Sequence, residues 1–157
     1  MFNVRRATEI DCQAILRVHI RAVREIAKSH YTSEEVAAWA RPREPEHYAE
    51  SIREKEFYIA EENGVVVGFG TLNQMQSEIE AVYVSPEVVR RGVGKAILQK
   101  LEERARDLSI KSLNMNASLN AVPFYKSAGY ESQKEMKHRL ASGVEIGCVL
   151  MTKELSS

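Results

Sequence analysis

The chain has 157 residues, 44% hydrophobic and 28% charged, and its formal net charge at pH 7 is zero. This length predicts a single domain over residues 1–157, and the balanced charge argues against nucleic-acid or acidic-membrane partners recruited by a global field. The chain shows no signal-peptide pattern, no membrane-length apolar run, no disulfide framework and no metal-ligand spacing of histidines, so we expect a cytoplasmic protein without a metal.

The first third of the chain reads as one strand followed by helices. Apolar residues recur at spacings of three and four after the first strand, which is typical of an amphipathic helix. In chain order, the predicted elements are a strand at 2–5, a helix containing Ile15, Val18, Ala22, Val23 and Ile26, a helix at 33–40 capped by Ser33, and a helix at 46–55.

The rest of the chain is richer in strands. Turn signals and switches of apolar period place strands at 57–61, 65–72, 78–84, 111–117, 130–140 and 144–152, with helices at 91–108 and 120–127. Two glycines in the second of these strands, Gly68 and Gly70, indicate a bulge or a close backbone approach. This order predicts an α/β (α+β) fold with a mixed, mostly antiparallel central sheet of about six or seven strands and helices on both faces.

A glycine-containing segment lies between the strand at 78–84 and the helix at 91–108. Gly92 and Gly94 let the backbone turn tightly, and no Cβ keeps a ligand away. The helix that follows offers unpaired N–H groups and the positive end of its dipole, and basic residues add charge at the same place: Arg90, Arg91 and Lys95. This combination predicts an anion site that fits a pyrophosphate.

Other glycine-loop patterns do not match this segment. A P-loop needs G-x-x-x-x-G-K-[ST], and a dinucleotide fingerprint needs a third glycine where this chain has Ile97. A purely structural strand-to-helix turn remains as an alternative.

A second segment, residues 120–130, reads Asn-Ala-Val-Pro-Phe-Tyr-Lys-Ser-Ala-Gly-Tyr. It looks like the N-x-x-(x)-F-Y-x-x-x-G-[FY] signature of the GNAT superfamily of acyl-CoA-dependent N-acetyltransferases. The segment from Val89 to Gly94 resembles the same family's Q/R-x-x-G-x-G/A loop, except that Val89 replaces Gln or Arg. The resemblance covers roughly residues 2–154, and it is specific because the two motifs occur in order and in their expected structural context.

The resemblance implies an acetyl-CoA site on this loop and on the preceding strand. Family members bind the pyrophosphate mainly through backbone N–H groups, so binding is expected despite Val89, with Arg90 and Arg91 supplying charge. Strand amides pair with the pantetheine arm, and that of Val82 is the expected oxyanion donor. Asn120 is expected to bind the pantetheine or pyrophosphate region and to cap its helix. The implied cofactor-binding residues are Val82, Val84, Val89, Arg90, Arg91, Gly92, Val93, Gly94, Lys95, Asn120 and Phe124.

The resemblance also implies which residues transfer the protons of the reaction. Tyr125 is implied as the acid that protonates the departing thiolate, the alternative being a packed aromatic. Strand alternation places Glu78 and Glu80 on one face with Val82 and Val84, and either carboxylate is a candidate base for the amine. A water-mediated base and two solvated charges are the alternatives.

The acceptor is expected to be an amine held under the first helices. A small-molecule amine is preferred, with a protein N-terminus or lysine as alternatives, and Arg21, Arg41 and Arg43 suggest an acceptor that carries an anion. Two other functions stay open: a non-catalytic acyl-CoA-binding module, and a toxin-like acetyltransferase acting on aminoacyl-tRNA, against which the balanced charge argues. A homodimer is common in the family, but no residue decides it.

Overall fold

The computed structural model describes residues 1–40, 45–140 and 142–156. These residues form seven strands and five α-helices. In chain order they are β1 (Phe2–Arg6), α1 (Cys12–Ile26), α2 (Ser33–Trp39), α3 (Pro45–Glu54), β2 (Glu56–Glu62), β3 (Val65–Asn73), β4 (Glu78–Val84), α4 (Val93–Asp107), β5 (Ser112–Ser118), α5 (Val122–Ser127), β6 (Glu131–Arg139) and β7 (Glu145–Glu154).

The strands form one sheet in the order β1-β2-β3-β4-β5-β7-β6. Every neighbouring pair is antiparallel except β4 and β5, which run parallel and are paired at Glu78 and Asn114. The expected mixed, mostly antiparallel sheet is therefore confirmed. No helix among the described residues is long and apolar enough to cross a membrane.

The two faces of the sheet carry separate apolar clusters. Helix α4 packs on one face through Ile97, Leu101 and neighbours, while α1 and α3 cover the other face around Phe57 and Phe69. Gly70 allows α4 to pack close to the sheet, because a Cβ at this position would lie 2.5 Å from the Ile97 Cγ2 atom. The close backbone approach expected in this strand is thus confirmed.

Helix ends differ from the sequence predictions in three places. The cap of α2 is Thr32, not Ser33, because the Thr32 hydroxyl accepts the Glu35 N–H while the Glu35 carboxylate accepts the Thr32 N–H. Helix α4 begins at Val93, since Gly92 before it is left-handed at φ 85°. The predicted helix at 91–108 includes Leu108, but this residue is 43% exposed because α4 has ended before it.

The close fit of α4 on β3 gives a prediction. Gly70→Ala pushes a methyl group into Ile97 and against the Ala81 carbonyl oxygen, 3.2 Å away, and we expect it to lower the free energy of unfolding by about 1–3 kcal/mol. Gly147→Ala is the matched control, because its nearest neighbour would be the Leu119 Cδ1 atom at an ordinary 3.6 Å. Urea denaturation with unchanged m-values measures both. Equal midpoints for the two variants would contradict the packing argument.

Candidate active site

Strands β4 and β5 part soon after they meet. Within the described residues they pair only at Glu78 and Asn114, and β5 then pairs with β7 along its whole length. The N–H of Ser85 donates to the Val67 carbonyl on β3 at 2.8 Å. Since alternate residues of an antiparallel strand bond to the same neighbour, the N–H groups of Val82 and Val84 point away from β3, into the opening left by β5.

The glycine loop lies directly after this opening. Arg90 and Gly92 are both left-handed, at φ 69° and 85°, and a Cβ on Gly92 would meet nothing within 4 Å. The first bond of the following helix runs from the Ala96 N–H to the Gly92 carbonyl at 3.0 Å, so helix geometry leaves the N–H groups of residues 93–95 for a ligand. Open space at Gly92, N–H groups without a partner in the helix and the positive end of the helix dipole therefore lie together at this loop.

The basic side chains around the loop have different surroundings. Arg91 is held by Glu62 on β2, with nitrogen–oxygen distances of 2.5 and 3.2 Å, so its guanidinium ties the loop to the sheet. Arg90 and Lys95 are exposed and carry the charge on the solvent side, and Val89 is 40% exposed. Of the expected basic residues, Arg91 is thus engaged elsewhere in the fold.

Tyr125 lines the cavity between β4 and β5. The side chain is 6% exposed, and burial raises the pKa of its phenol well above its usual range, so the hydroxyl keeps its proton. Its ring packs edge-on against Phe124 and Tyr130. The Phe124 ring in turn lies against Gly94, where a Cβ would be 3.4 Å from it.

A buried polar group holds α5 in place. The Lys153 ammonium donates to the Ala128 carbonyl at 2.8 Å and to both Glu102 carboxylate oxygens, and the Tyr130 hydroxyl donates to Glu102 at 2.7 Å. These bonds join the end of α5 to α4 and β7. They fix the position of Tyr125, which lies on the same short helix.

Asn120 lies in a 3₁₀ turn before α5. The expected cap is wrong: the residue preceding α5 is Ala121, and no side chain caps the helix. Instead, the Asn120 Oδ1 atom is buried and accepts no hydrogen bond from the described part of the chain. A buried amide oxygen without a donor is costly, so this atom is suited to accept a bond from a ligand.

The two glutamates of β4 lie on either side of a bulge. Ala81 pairs with Thr71 and Ile79 with Leu72, which leaves Glu80 as an extra residue. The expected alternation is therefore wrong: Ile79 joins Val82 and Val84 against α4, whereas Ala81 and Tyr83 lie in the cluster on the other face. Glu78, opposite Asn73, belongs to that second face and lines the cavity with Glu80.

The bulge gives the two carboxylates different partners. Glu80 accepts from the Lys55 ammonium at 2.7 Å and from the Asn73 amide at 3.1 Å. The Glu78 carboxylate makes no hydrogen bond or ion pair with any described residue. Burial, and secondarily the charge of Glu80, raises the pKa of Glu78, while Lys55 opposes this. Glu78 is therefore the more available of the two carboxylates, and its raised pKa suits a base.

The cavity beside these groups has a volume of about 510 Å³. It extends from Lys55 and the two glutamates to the ends of β6 and β7, at Leu140 and Ile146. Its wall contains aromatic residues from α1, α2, α3 and the sheet: His19, Trp39, Tyr48, Phe69 and Tyr83. Within the described ranges, no group of three or more His, Cys, Asp or Glu residues could hold a metal ion.

The sequence predicts three arginines near the acceptor: Arg21, Arg41 and Arg43. Arg21 is exposed and paired with Glu87, and it does not line the cavity. Arg41 and Arg43 lie outside the described residues. Lys55 and Asn73 were not identified from the sequence, because no motif marks them and only the fold brings them to Glu80. The turn signal around residues 73–77 could have indicated that Asn73 lies opposite Glu78.

Comparisons with known proteins agree with this geometry. The family model of the acetyltransferase (GNAT) domain matches residues 27–154. The N-acetyltransferase YafP of Escherichia coli K12 is 30% identical over 127 residues, which are 81% of this chain and 79% of that protein. A GCN5-related N-acetyltransferase from Rhodopseudomonas palustris superposes with a TM-score of 0.92 at 26% identity, covering 98% of this chain and 95% of the other.

A third similar structure contains a ligand. PaiA N-acetyltransferase from Thermoplasma acidophilum, solved in complex with coenzyme A, has a TM-score of 0.81 at 18% identity and covers 98% of this chain and 99% of its own. At that identity the likeness shows the fold alone. On the family match and on the relative of 30% identity, the chain belongs to the GNAT family of acetyltransferases.

Proposed function

We propose that this protein transfers the acetyl group of acetyl-CoA directly to a primary amine in a ternary complex. The observation that carries the proposal is the opening between β4 and β5. Val82, Tyr125 and Glu78 line one cavity at this opening, and the N–H group of Val84 points outward from β4 next to it. A thioester at this position has a donor for its oxygen, an acid for its sulfur and a base for its attacker.

The residues of the loop fit coenzyme A. The pyrophosphate would lie on the N–H groups of residues 92–95, over the open space at Gly92, with Arg90 and Lys95 at its side. The pantetheine arm would pair with Val82 and Val84 as an added strand does, and Asn120 Oδ1 would accept a bond from one of its amides. Val89 removes no backbone donor, so the loop retains its main means of binding.

The reaction then needs three proton transfers. Glu78, directly or through a water, takes a proton from the ammonium, and the neutral amine attacks the thioester carbon. The Val82 N–H stabilises the oxyanion, because a fixed backbone dipole needs no reorganisation. When the carbon–sulfur bond breaks, Tyr125 donates its proton to the thiolate, and its phenolate oxygen takes the second proton that the nitrogen loses as the amide forms. Its raised pKa keeps that proton available at neutral pH.

The proposal extends to the compartment and to the domain organisation of the chain. Both cysteines are buried free thiols, which suits a reducing compartment such as the cytoplasm. We propose one catalytic domain over residues 1–157, without an assigned oligomeric state. A non-catalytic acyl-CoA-binding module would share the loop but would have no need of Glu78 and Tyr125.

Binding of coenzyme A is the first test. A thermal shift with CoA and acetyl-CoA should show a saturable rise in Tm. Gly92→Ala places a Cβ at a left-handed position, costing about 1–2 kcal/mol, and into the space of the pyrophosphate, so we expect at least about tenfold weaker binding. Gly94→Ala is the matched control, because its Cβ makes ordinary 3.4 Å contacts and its N–H remains. No shift at millimolar CoA would refute the proposed site.

Removal of the Tyr125 hydroxyl tests the acid. Tyr125→Phe keeps the ring packing, so the Kd for CoA should stay within about threefold while kcat falls by about 100-fold. Thiol release from acetyl-CoA, followed with an amine acceptor, measures kcat, and isothermal titration measures the Kd. Tyr58→Phe is the control, because that hydroxyl bonds Glu56 and lies outside the cavity lining. An equal loss of kcat and CoA affinity in Tyr125→Phe would refute the acid role.

Because Glu78 and Glu80 have different neighbours, the pKa of Glu78 should shift in opposite directions in two variants. Lys55→Met removes a positive charge that lowers the pKa of Glu78, so this pKa should rise, whereas Glu80→Gln removes a like charge and should lower it. Carboxyl-carbon NMR titration measures the pKa without an acceptor. If Glu78 is the base, the acidic limb of kcat/KM moves up in Lys55→Met and down in Glu80→Gln. Shifts of one sign in both variants would contradict the assignment.

A further inference from the structure

The acceptor side of the cavity concentrates the aromatic residues of the chain. The sequence contains four Phe, six Tyr and one Trp, and six of these line this single cavity. They are Trp39, Tyr48, Phe57, Phe69, Tyr83 and Tyr125. Aromatic residues make up only 7% of the chain, so their gathering along one wall sets the chemistry of what can bind there.

The rings are packed against one another around Tyr83. Tyr83 stacks on His19 with ring centroids 4.9 Å apart and an interplanar angle of 27°, and Trp39 meets it at 6.4 Å and 65°. Phe69 lies 5.5 Å from it on the sheet. Rings held in this way lose little freedom when a ligand arrives, and their faces and edges prefer another flat ring to a flexible chain.

A tertiary contact lines the far end of the cavity. Trp39 of α2 packs in one cluster with Leu140 and Ile146, which border the β6–β7 turn. Tyr31 strengthens this contact, since its hydroxyl donates to the Gly147 carbonyl at 2.6 Å and accepts from the Leu119 N–H at 2.8 Å. A space of about 510 Å³ lined in this way is the size of a small-ligand site.

The charges of the cavity favour a ligand with one ammonium group. Lys55 is neutralised by Glu80 at 2.7 Å, so it offers little to a ligand anion. Among the described lining residues, this leaves Glu78 as the carboxylate that can receive a proton from an ammonium. A ligand that carries a carboxylate would face two glutamates, and one that carries several ammonium groups would find a single available partner.

On this basis we propose that the acceptor is a small arylalkylamine, a primary amine joined by a short chain to a flat aromatic ring. The inference rests on the proposed acetyltransferase function and names its substrate class. The ring would lie among Trp39, Phe69 and Tyr83, and the amine would point toward Glu78. The ammonium first gives one proton to Glu78, and the nitrogen then forms a bond to the acetyl carbon as the carbon–sulfur bond breaks, giving an N-acetyl arylalkylamine and coenzyme A. The Tyr125 proton passes to the sulfur, and the second proton that the nitrogen loses returns to the Tyr125 oxygen.

A matched pair of amines tests the ring preference. 2-Phenylethylamine and 2-cyclohexylethylamine have the same carbon skeleton and differ in flatness and aromaticity. We expect kcat/KM for the phenyl compound to be at least about tenfold higher, measured by thiol release from acetyl-CoA. Glutamate, spermidine and a tetrapeptide with a free N-terminal alanine complete the panel, and each should react more slowly still.

Variants of Tyr83 locate the preference in the aromatic wall. Tyr83→Leu should reduce the phenyl-to-cyclohexyl ratio to about 1–3, while Tyr83→Phe retains the ring and the ratio. A ratio within one variant does not depend on the fraction of folded enzyme, so a partial loss of stability does not affect the result. The CoA thermal shift, measured on each variant, checks that the donor site is intact.

The outcomes separate the two proposals. If glutamate, spermidine, the peptide or the cyclohexyl compound reacts as well as 2-phenylethylamine, the arylalkylamine class is wrong and the acetyltransferase proposal stands. A phenyl preference that survives in Tyr83→Leu also overturns the assigned wall. If CoA binds and no amine of the panel releases thiol, both proposals fail and a binding module is favoured.

Discussion

The parting of β4 and β5 is the constraint on which the rest of the site depends. Asn114 fixes the point at which the two strands meet, because its backbone N–H and its side-chain amide both donate to the Ser77 carbonyl at 3.0 Å. Beyond it β5 is committed to β7, and β4 is left with outward N–H groups in the middle of a sheet. Unpaired strand donors inside a protein are costly, so they imply a ligand that completes the sheet.

The same opening decides where the chemistry can occur. Helix α5 follows β5 after a single 3₁₀ turn, so the divergence of β5 carries Tyr125 across the opening from Val82. The bulge at Glu80 rotates the other end of β4, which puts Glu78 on the face of the acceptor cavity instead of against α4. A regular strand would have directed this carboxylate and the side chain of Val82 to the same face, into the apolar cluster under α4. One extra residue therefore brings the Glu78 carboxylate into the cavity, where the proposed mechanism uses it as the base.

The donor half of the site could be predicted from the sequence, and the acceptor half could not. The loop from Val89 to Gly94 and the bounds of β4 are local patterns, and the structure places both as predicted. The bulge at Glu80 leaves no trace in the apolar pattern, so alternation misassigned Ile79. The contact of Lys55 with Glu80 and that of Trp39 with Leu140 join residues far apart in the chain, and no spacing rule reaches them.

This difference follows from the kind of atom that each half uses. The donor side binds through backbone N–H groups and a helix end, which any side chain leaves in place, so Val89 can stand where the family has Gln or Arg. In the proposed mechanism the acceptor side binds through side chains, among them Trp39, Tyr83 and Glu78, and each of these can be exchanged without disturbing the opening between β4 and β5. On that proposal the backbone determines that an acyl-CoA binds, while the side chains on the opposite wall determine which amine receives the acetyl group. Membership of the family therefore identifies an acetyltransferase, but the acceptor has to be argued from the cavity of this chain.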